Sequence, residues 1–400
     1  MPSAEPVPVA TVAASGVRTL VLVIAASMVA QSFGRFAYAV VLPDIEADLL
    51  DGSSTASGFL GAVNLVAYLV GTAATSVAAT RASPGAILRA GLVLSTMGLG
   101  VLGTAGSFGP ALVGMALTGL GGAAIWVPSP GIAAGTLGPH RRGLAIGTVG
   151  TGIMAGMALN GPLAGLVVAI GGEGEWRLLY AIYAVAGVAV LGATLAWLGP
   201  VEGVQAPQPV RLGAIRQVPG WRPLVVAYGA YGLAYALFLF FFVATMTDDL
   251  GFSAGTARIV FAVLGLVGIG GGLLLGRASD RIGRPGALGL AMGMILVAAL
   301  LVPTGVLALV VLAAMLFGPA FSGVPSVISA HISDHLDARS FAAAFGVVTL
   351  SFGIAQIFGP QIGGIIGDET GSFTLVFLLS AAMSAVGLAA AGRIPRAEPT

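Results

Sequence analysis

The chain has 400 residues, 57% of them hydrophobic and only 8% charged, with a formal net charge of +1. That balance, with a mean hydropathy of +1.01, lies far from ordinary soluble domains and gives no basic surface for nucleic acid. The absence of cysteine excludes disulfides and thiolate metal sites.

The first sixteen residues form a proline-, alanine- and valine-rich tail. Apolar windows of about twenty residues, enough to cross roughly 30 Å of hydrocarbon, then recur along the chain. They lie near 18–42, 55–79, 85–107, 109–137, 143–170, 176–198, 223–247, 256–276, 286–304, 306–330, 340–366 and 372–391. In lipid every backbone amide must be paired within its own element, so these windows are predicted as helices. Between the eighth and ninth, the stretch Gly276-Arg277-Ala278-Ser279-Asp280-Arg281-Ile282-Gly283-Arg284 gathers four charges, the signature of a short wet turn between membrane helices.

The chain also repeats itself. Gly359-Pro360 echoes Gly161-Pro162 at an offset of 198 (360 minus 162), and Pro325-Ser326 echoes Pro128-Ser129 at 197 (325 minus 128). An offset of half the chain predicts two pseudo-symmetric six-helix bundles. Their expected bounds are 17–198 and 223–392, joined by a linker at 199–222 that holds Pro200, Pro207, Pro209 and Pro219, with tails at 1–16 and 393–400.

There is no lysine, so arginine alone sets the orientation. Under twelve spans every arginine other than Arg35, Arg177 and Arg258 falls on one side, which the positive-inside rule assigns to the cytoplasm together with both termini and the linker. The opposite side collects acids: Asp44, Glu46, Asp48, Asp51, Glu173, Glu175, Asp248, Asp249, Asp368 and Glu369.

With these residues on the page, the chain resembles the major facilitator superfamily. The run from Gly276 to Arg284 matches that family's loop signature, and Gly161-Pro162 and Gly359-Pro360 are similar to its proline-glycine motif in helices five and eleven. Phe33-Gly34-Arg35-Phe36-Ala37-Tyr38 with Leu42-Pro43 resembles, more narrowly, the YbfB/YjiJ-type branch. The resemblance implies an all-α integral membrane fold and alternating access, with Gly276, Asp280, Arg281, Gly283, Arg284, Gly161, Pro162, Gly359 and Pro360 serving the conformational switch. It implies that the loop grips the facing half in one state only. Three departures weigh against a drug/proton antiporter. Thr80 replaces the aspartate in the amino-terminal loop copy, Met115 stands where many proton-coupled members carry arginine, and Gly156 is one residue out of the antiporter spacing.

Arg35 is the leading substrate-site candidate. A central arginine costs about 2.5–3.5 kcal/mol on insertion scales and signals function, and its fork suits a carboxylate or phosphate. Its position eight residues before Pro43 sets it roughly 12 Å below the expected helix end. The alternative is a snorkelling arginine paired with Asp44. Gln31 and Tyr38 share its face at helical spacing, and Tyr228, Tyr231 and Tyr235 line a face of the seventh span. Tyr231 and Tyr235 are cavity candidates, whereas Tyr228 reads as interfacial. Asn64, Tyr68, Asn160 and Gln356 are further intramembrane polar candidates, each equally suited to joining helices.

Other patterns carry less. Gly98-Leu99-Gly100-Val101-Leu102-Gly103 fits a dinucleotide fingerprint but lies in an apolar span with no strand before it. His331 and His335, beside Asp334 and Asp337, have metal-binding spacing but fall at a solvated helix end. No catalytic constellation, cofactor motif or metal site is expected. No carboxylate lies deep in a predicted span, which leaves proton coupling, exchange or uniport open. The reading is a monomeric secondary transporter of the inner membrane for a small organic anion. The alternatives are a multidrug-type exporter and a non-transporting sensor or scaffold.

Overall fold

The computed structural model describes residues 9–136, 142–172, 174–199, 212–336 and 338–395. The expectations placed on residues 1–8, Arg141, Glu173, Pro200, Pro207, Pro209, Arg211, Asp337 and Arg396 lie outside the described residues.

Among the described residues, eleven helices long and apolar enough to span a membrane run at Gly16–Leu49, Ser54–Ala78, Pro84–Gly103, Phe108–Ala134, Gly147–Gly171, Trp176–Trp197, Trp221–Asp249, Arg284–Thr304, Leu307–Ser333, Ala343–Thr370 and Thr374–Ala391. A bent pair, Ala254–Gly268 with Gly271–Ile282, breaks by 46° and completes twelve as the eighth span. Three of the helices begin where a serine side chain takes over an orphan amide. Ser53, Ser83 and Ser253 accept from the N–H groups of Ala56, Ala86 and Thr256. Pro84 and Pro285 occupy first-turn positions, where a missing N–H costs nothing.

The first span departs from its predicted bounds. It continues through Pro43 to Leu49 instead of ending at 42, and a π-helical stretch, Met28–Phe36, lies within it. Arg35 therefore sits about 21 Å from the end of its helix, near mid-depth, at 1.5 Å per residue. The extension also makes Glu46 helical and buries it.

The first and seventh spans are the most buried and the sixth the most exposed, with Val185, Val188 and Leu195 turned outward. The two sets of six meet where the second span packs on the eleventh, the fifth on the eighth, and the first on the seventh. Small residues permit this approach. A Cβ on Gly161 would run into the Arg258 carbonyl, and one on Gly58 into the Pro360 carbonyl.

Candidate functional site

The centre of the molecule is built around Arg35. Arg35 is only 7% exposed. One terminal nitrogen donates to the Tyr235 hydroxyl at 2.5 Å and to Gln356 Oε1. The Tyr235 hydroxyl in turn donates to Gln356 Oε1, closing a ring of three side chains from the first, seventh and eleventh spans. Arg35 and Tyr235 are 200 residues apart, close to the repeat offset, so near-equivalent positions of the two halves meet. The guanidinium carbon lies 5.3 Å from the Phe36 ring centre and 5.4 Å from that of Tyr68, both suitable for cation–π attraction.

Among the described residues no carboxylate lies within ion-pair distance of Arg35; Asp44, its sequence-level alternative partner, is bound instead to Arg258 at 2.8 Å. Two buried donors of the ring, Arg35 Nε and Gln356 Nε2, have no partner. A buried cation without a counter-charge, next to an unused amide N–H, is an electrostatic demand for an anionic acceptor.

The other candidates divide. Tyr68 supplies a half-buried ring face to the site, while Tyr231 donates to the Phe321 carbonyl at 2.7 Å and tilts against Tyr235. Gln31 donates to the Gly122 carbonyl, Tyr38 to the Ser57 carbonyl and Asn64 to the Met115 carbonyl and Thr118. Asn160 ties the fifth span to the sixth, 2.9 Å from the Tyr183 hydroxyl. These four join neighbouring helices and do not point to Arg35. The π-helical stretch widens the turn around Arg35, so spacing at 3.6 residues no longer aligns its neighbours. Tyr228, expected at an interface, is buried and stacks on Phe352 at 4.7 Å.

Phe321 and Phe352 escaped the sequence reading. Each is half-buried and stacks or tilts against Tyr235, at 5.3 and 5.5 Å. Phe352 lies four residues before Gln356, on the same helix face, a spacing that could have revealed it. Phe321 has no such signal, since one apolar residue among many reads as core.

On the face opposite the termini the halves are sealed together. Asp368, at the end of the eleventh span, accepts from the amides of Ser54 and Thr55 at 2.8 and 2.9 Å, so it caps the second span from the other half. The Asp44–Arg258 pair lies at the same level, and Arg177 bonds Asp48 at 2.7 Å.

On the termini face, Arg284 bonds Asp334 at 2.8 Å, Asp280 at 2.6 Å and Ser279 at 2.6 Å. All belong to the carboxy-terminal half. Gly283 takes φ +79°, a conformation that favours glycine. Gly276 is unencumbered and Arg281 is exposed. Thr80, in the amino-terminal copy, bonds only its own helix at the Val77 carbonyl. His331 lies 3.3 Å from the Pro219 carbonyl, and its ring centre is 4.9 Å from that of His335.

Comparison with known proteins fits this architecture. The chain is 23% identical over 380 residues to the hexuronate transporter of Bacillus subtilis (strain 168), covering 88% of each. It is 24% identical over 262 residues to that organism's uncharacterized MFS-type transporter YfhI, covering 62% of each. Among solved structures, a bacterial homolog of the human lysosomal transporter Spinster, inward-facing and unoccupied, superposes with a TM-score of 0.76 at 18% identity, covering 96% of this chain and 99% of that one. A D-xylose-proton symporter superposes with a TM-score of 0.73 at 16% identity, covering 95% and 98%. The family described as "Uncharacterised MFS-type transporter YbfB" matches residues 27–392, and the chain, a multi-pass membrane transporter and not an enzyme, belongs to it.

Proposed function

We propose that the protein is a secondary active transporter for a small organic anion, with a sugar acid of the hexuronate type as the leading candidate. The observation that carries this reading is Arg35, buried at mid-depth without a carboxylate partner and bridged to the opposite half by Tyr235 and Gln356. An anion bound there touches both halves, so its binding energy can differ between conformations, as alternating access requires. The half-buried faces of Tyr68, Phe321 and Phe352 offer apolar surface for the body of a ring. The hexuronate transporter among the relatives supports an acidic sugar. A cationic drug would meet the same guanidinium as repulsion, which disfavours the multidrug alternative. One chain contains both halves and the bridging ring, so a monomer suffices.

Uptake into proteoliposomes tests the reading. Saturable accumulation of a hexuronate, without uptake of the matching neutral hexose, is the expected result. Uptake of the hexose alone, or of neither, overturns it.

In this reading the face carrying the termini is the cytoplasmic face of the inner membrane, which the arginine distribution supports. The chain has no native cysteine, so single cysteines report orientation. Arg277→Cys, exposed in the last turns of the eighth span, where helix continues to Ile282 in place of the expected turn, is expected to resist a membrane-impermeant thiol reagent in intact cells. Gly106→Cys, exposed between the third and fourth spans, is expected to label. The reverse pattern inverts the orientation.

The junction of the eighth and ninth spans, from Ser279 to Arg284, serves the switch by bracing its own half. Asp334→Asn removes the charge of one of the two carboxylates on Arg284. Turnover is expected to fall several-fold while substrate affinity changes little, because the bond keeps the carboxy-terminal half rigid as it moves and touches no ligand. Parallel transport and equilibrium-binding measurements check the split.

A further inference from the structure

Glu46 lies on the stretch of the first span beyond Pro43, at the sealed face where spans of both halves meet, and is 6% exposed. Ser57 Oγ, itself fully buried, is 2.5 Å from Glu46 Oε1 and 2.9 Å from the Ser54 carbonyl oxygen. A serine hydroxyl has one proton to donate. Given to the Ser54 carbonyl, the ordinary bond inside a helix, it leaves Ser57 Oγ as an acceptor, and the short contact then needs a proton on Glu46. The Ser57 carbonyl is already taken by the Tyr38 hydroxyl.

The charged surroundings point the same way. Among the described residues no cation lies within ion-pair distance of Glu46, because the nearby arginines are committed: Arg258 to Asp44 and Arg177 to Asp48. The eleventh span contributes Asp368, held by the amides that begin the second span. The seventh contributes Asp248, bonded to Thr247. Glu175, the residue before the sixth, lies beside Asp44 and Arg258. An ionised Glu46 adds an unneutralised negative charge to a dry interface already lined with acids, and its desolvation is not repaid.

We propose that Glu46 is a proton-binding site that gates this face: protonated and bonded to Ser57, it lets the two halves pack together, and ionised, it drives them apart. The inference rests on the alternating-access reading above. No bond beyond the O–H is made or broken; the proton comes from and returns to water when the face opens. Linkage sets the sign: the closed state keeps the proton and the open state releases it, so acid favours closure and rising pH favours opening.

Ala164→Cys, at a buried position beside Asp44 and Arg258, reports opening in purified protein in detergent. Its thiol-labelling rate is divided by that of Gly106→Cys, which removes the effect of thiol ionisation. The ratio is expected to rise at least about threefold between about pH 5.5 and about pH 8, within the limit of about tenfold per pH unit for one proton. Glu46→Gln, whose amide donates to Ser57 at any pH, is expected to hold the ratio low and flat. Ser57→Ala removes the acceptor and moves the rise to lower pH, giving a second reading if the glutamine variant folds poorly. A flat ratio with Glu46 in place, or one that still climbs in Glu46→Gln, overturns the proposal. No substrate is present, so the gate and the anion site fail separately: loss of the pH response leaves hexuronate binding untouched, and the absence of hexuronate binding leaves the pH response intact.

Discussion

Arg35→Gln is expected to weaken binding of the anion by about 2–5 kcal/mol, because the ligand's charge is left buried without a partner. Arg35→Lys keeps a positive charge but loses the planar fork and the Nε donor that now lacks a partner, so its affinity is expected to fall between wild type and the glutamine variant. Equilibrium binding per folded molecule, read beside thermal stability, checks this. The free protein gives a sharp control. Arg35 carries a desolvation cost that its neutral partners Tyr235 and Gln356 offset only in part. Arg35→Gln is therefore expected to leave the unliganded protein as stable as wild type or more so. Both variants binding normally while losing stability would make Arg35 a structural strut and remove the main support for an anionic substrate.

Gly161→Ala is expected to reduce turnover at least about tenfold, through the sealed face rather than the binding site. The added methyl would meet the Arg258 carbonyl, across the contact between the fifth and eighth spans. Backbone cannot yield as a flexible side-chain tip does, and overpacking of this kind costs about 1–3 kcal/mol. The cost falls only on the state in which the two halves touch, so the expected outcome is a protein that folds but rests with that face open. Gly165, one turn further on, has open space where its Cβ would be. Gly165→Ala is the matched control and is expected to transport normally. Proteoliposome uptake, with thiol labelling at Ala164→Cys, separates the two variants. Equal turnover in both would show that the close approach at Gly161 does not limit closure.

The membrane fold was legible because hydropathy is strong: spans near 55–79 and 176–198 were placed within a residue of their observed ends. Proline misled at the first span. Pro43 normally marks a helix end because its ring denies a bond and crowds the preceding turn, yet the helix runs through it to Leu49. That error hid Glu46, which read as one more acid in a wet loop. The central ring was partly legible: Arg35, Tyr235 and Gln356 each stood out as polar residues in apolar spans. That they bond one another across 200 and 321 residues is a fact of packing that no local pattern carries. Asn64 and Asn160 show the converse, since a polar residue inside a span can serve helix contacts just as well as a ligand.

The most direct test of the account is a structure of the protein with a hexuronate bound. The expected result is its carboxylate between the first and eleventh spans, accepting from Arg35 and from Gln356 Nε2, the donors that stand free without ligand. The sugar ring should lie against Phe321, Phe352 or Tyr68. A carboxylate held elsewhere, with Arg35 still turned to Tyr235 and Gln356 alone, would contradict it.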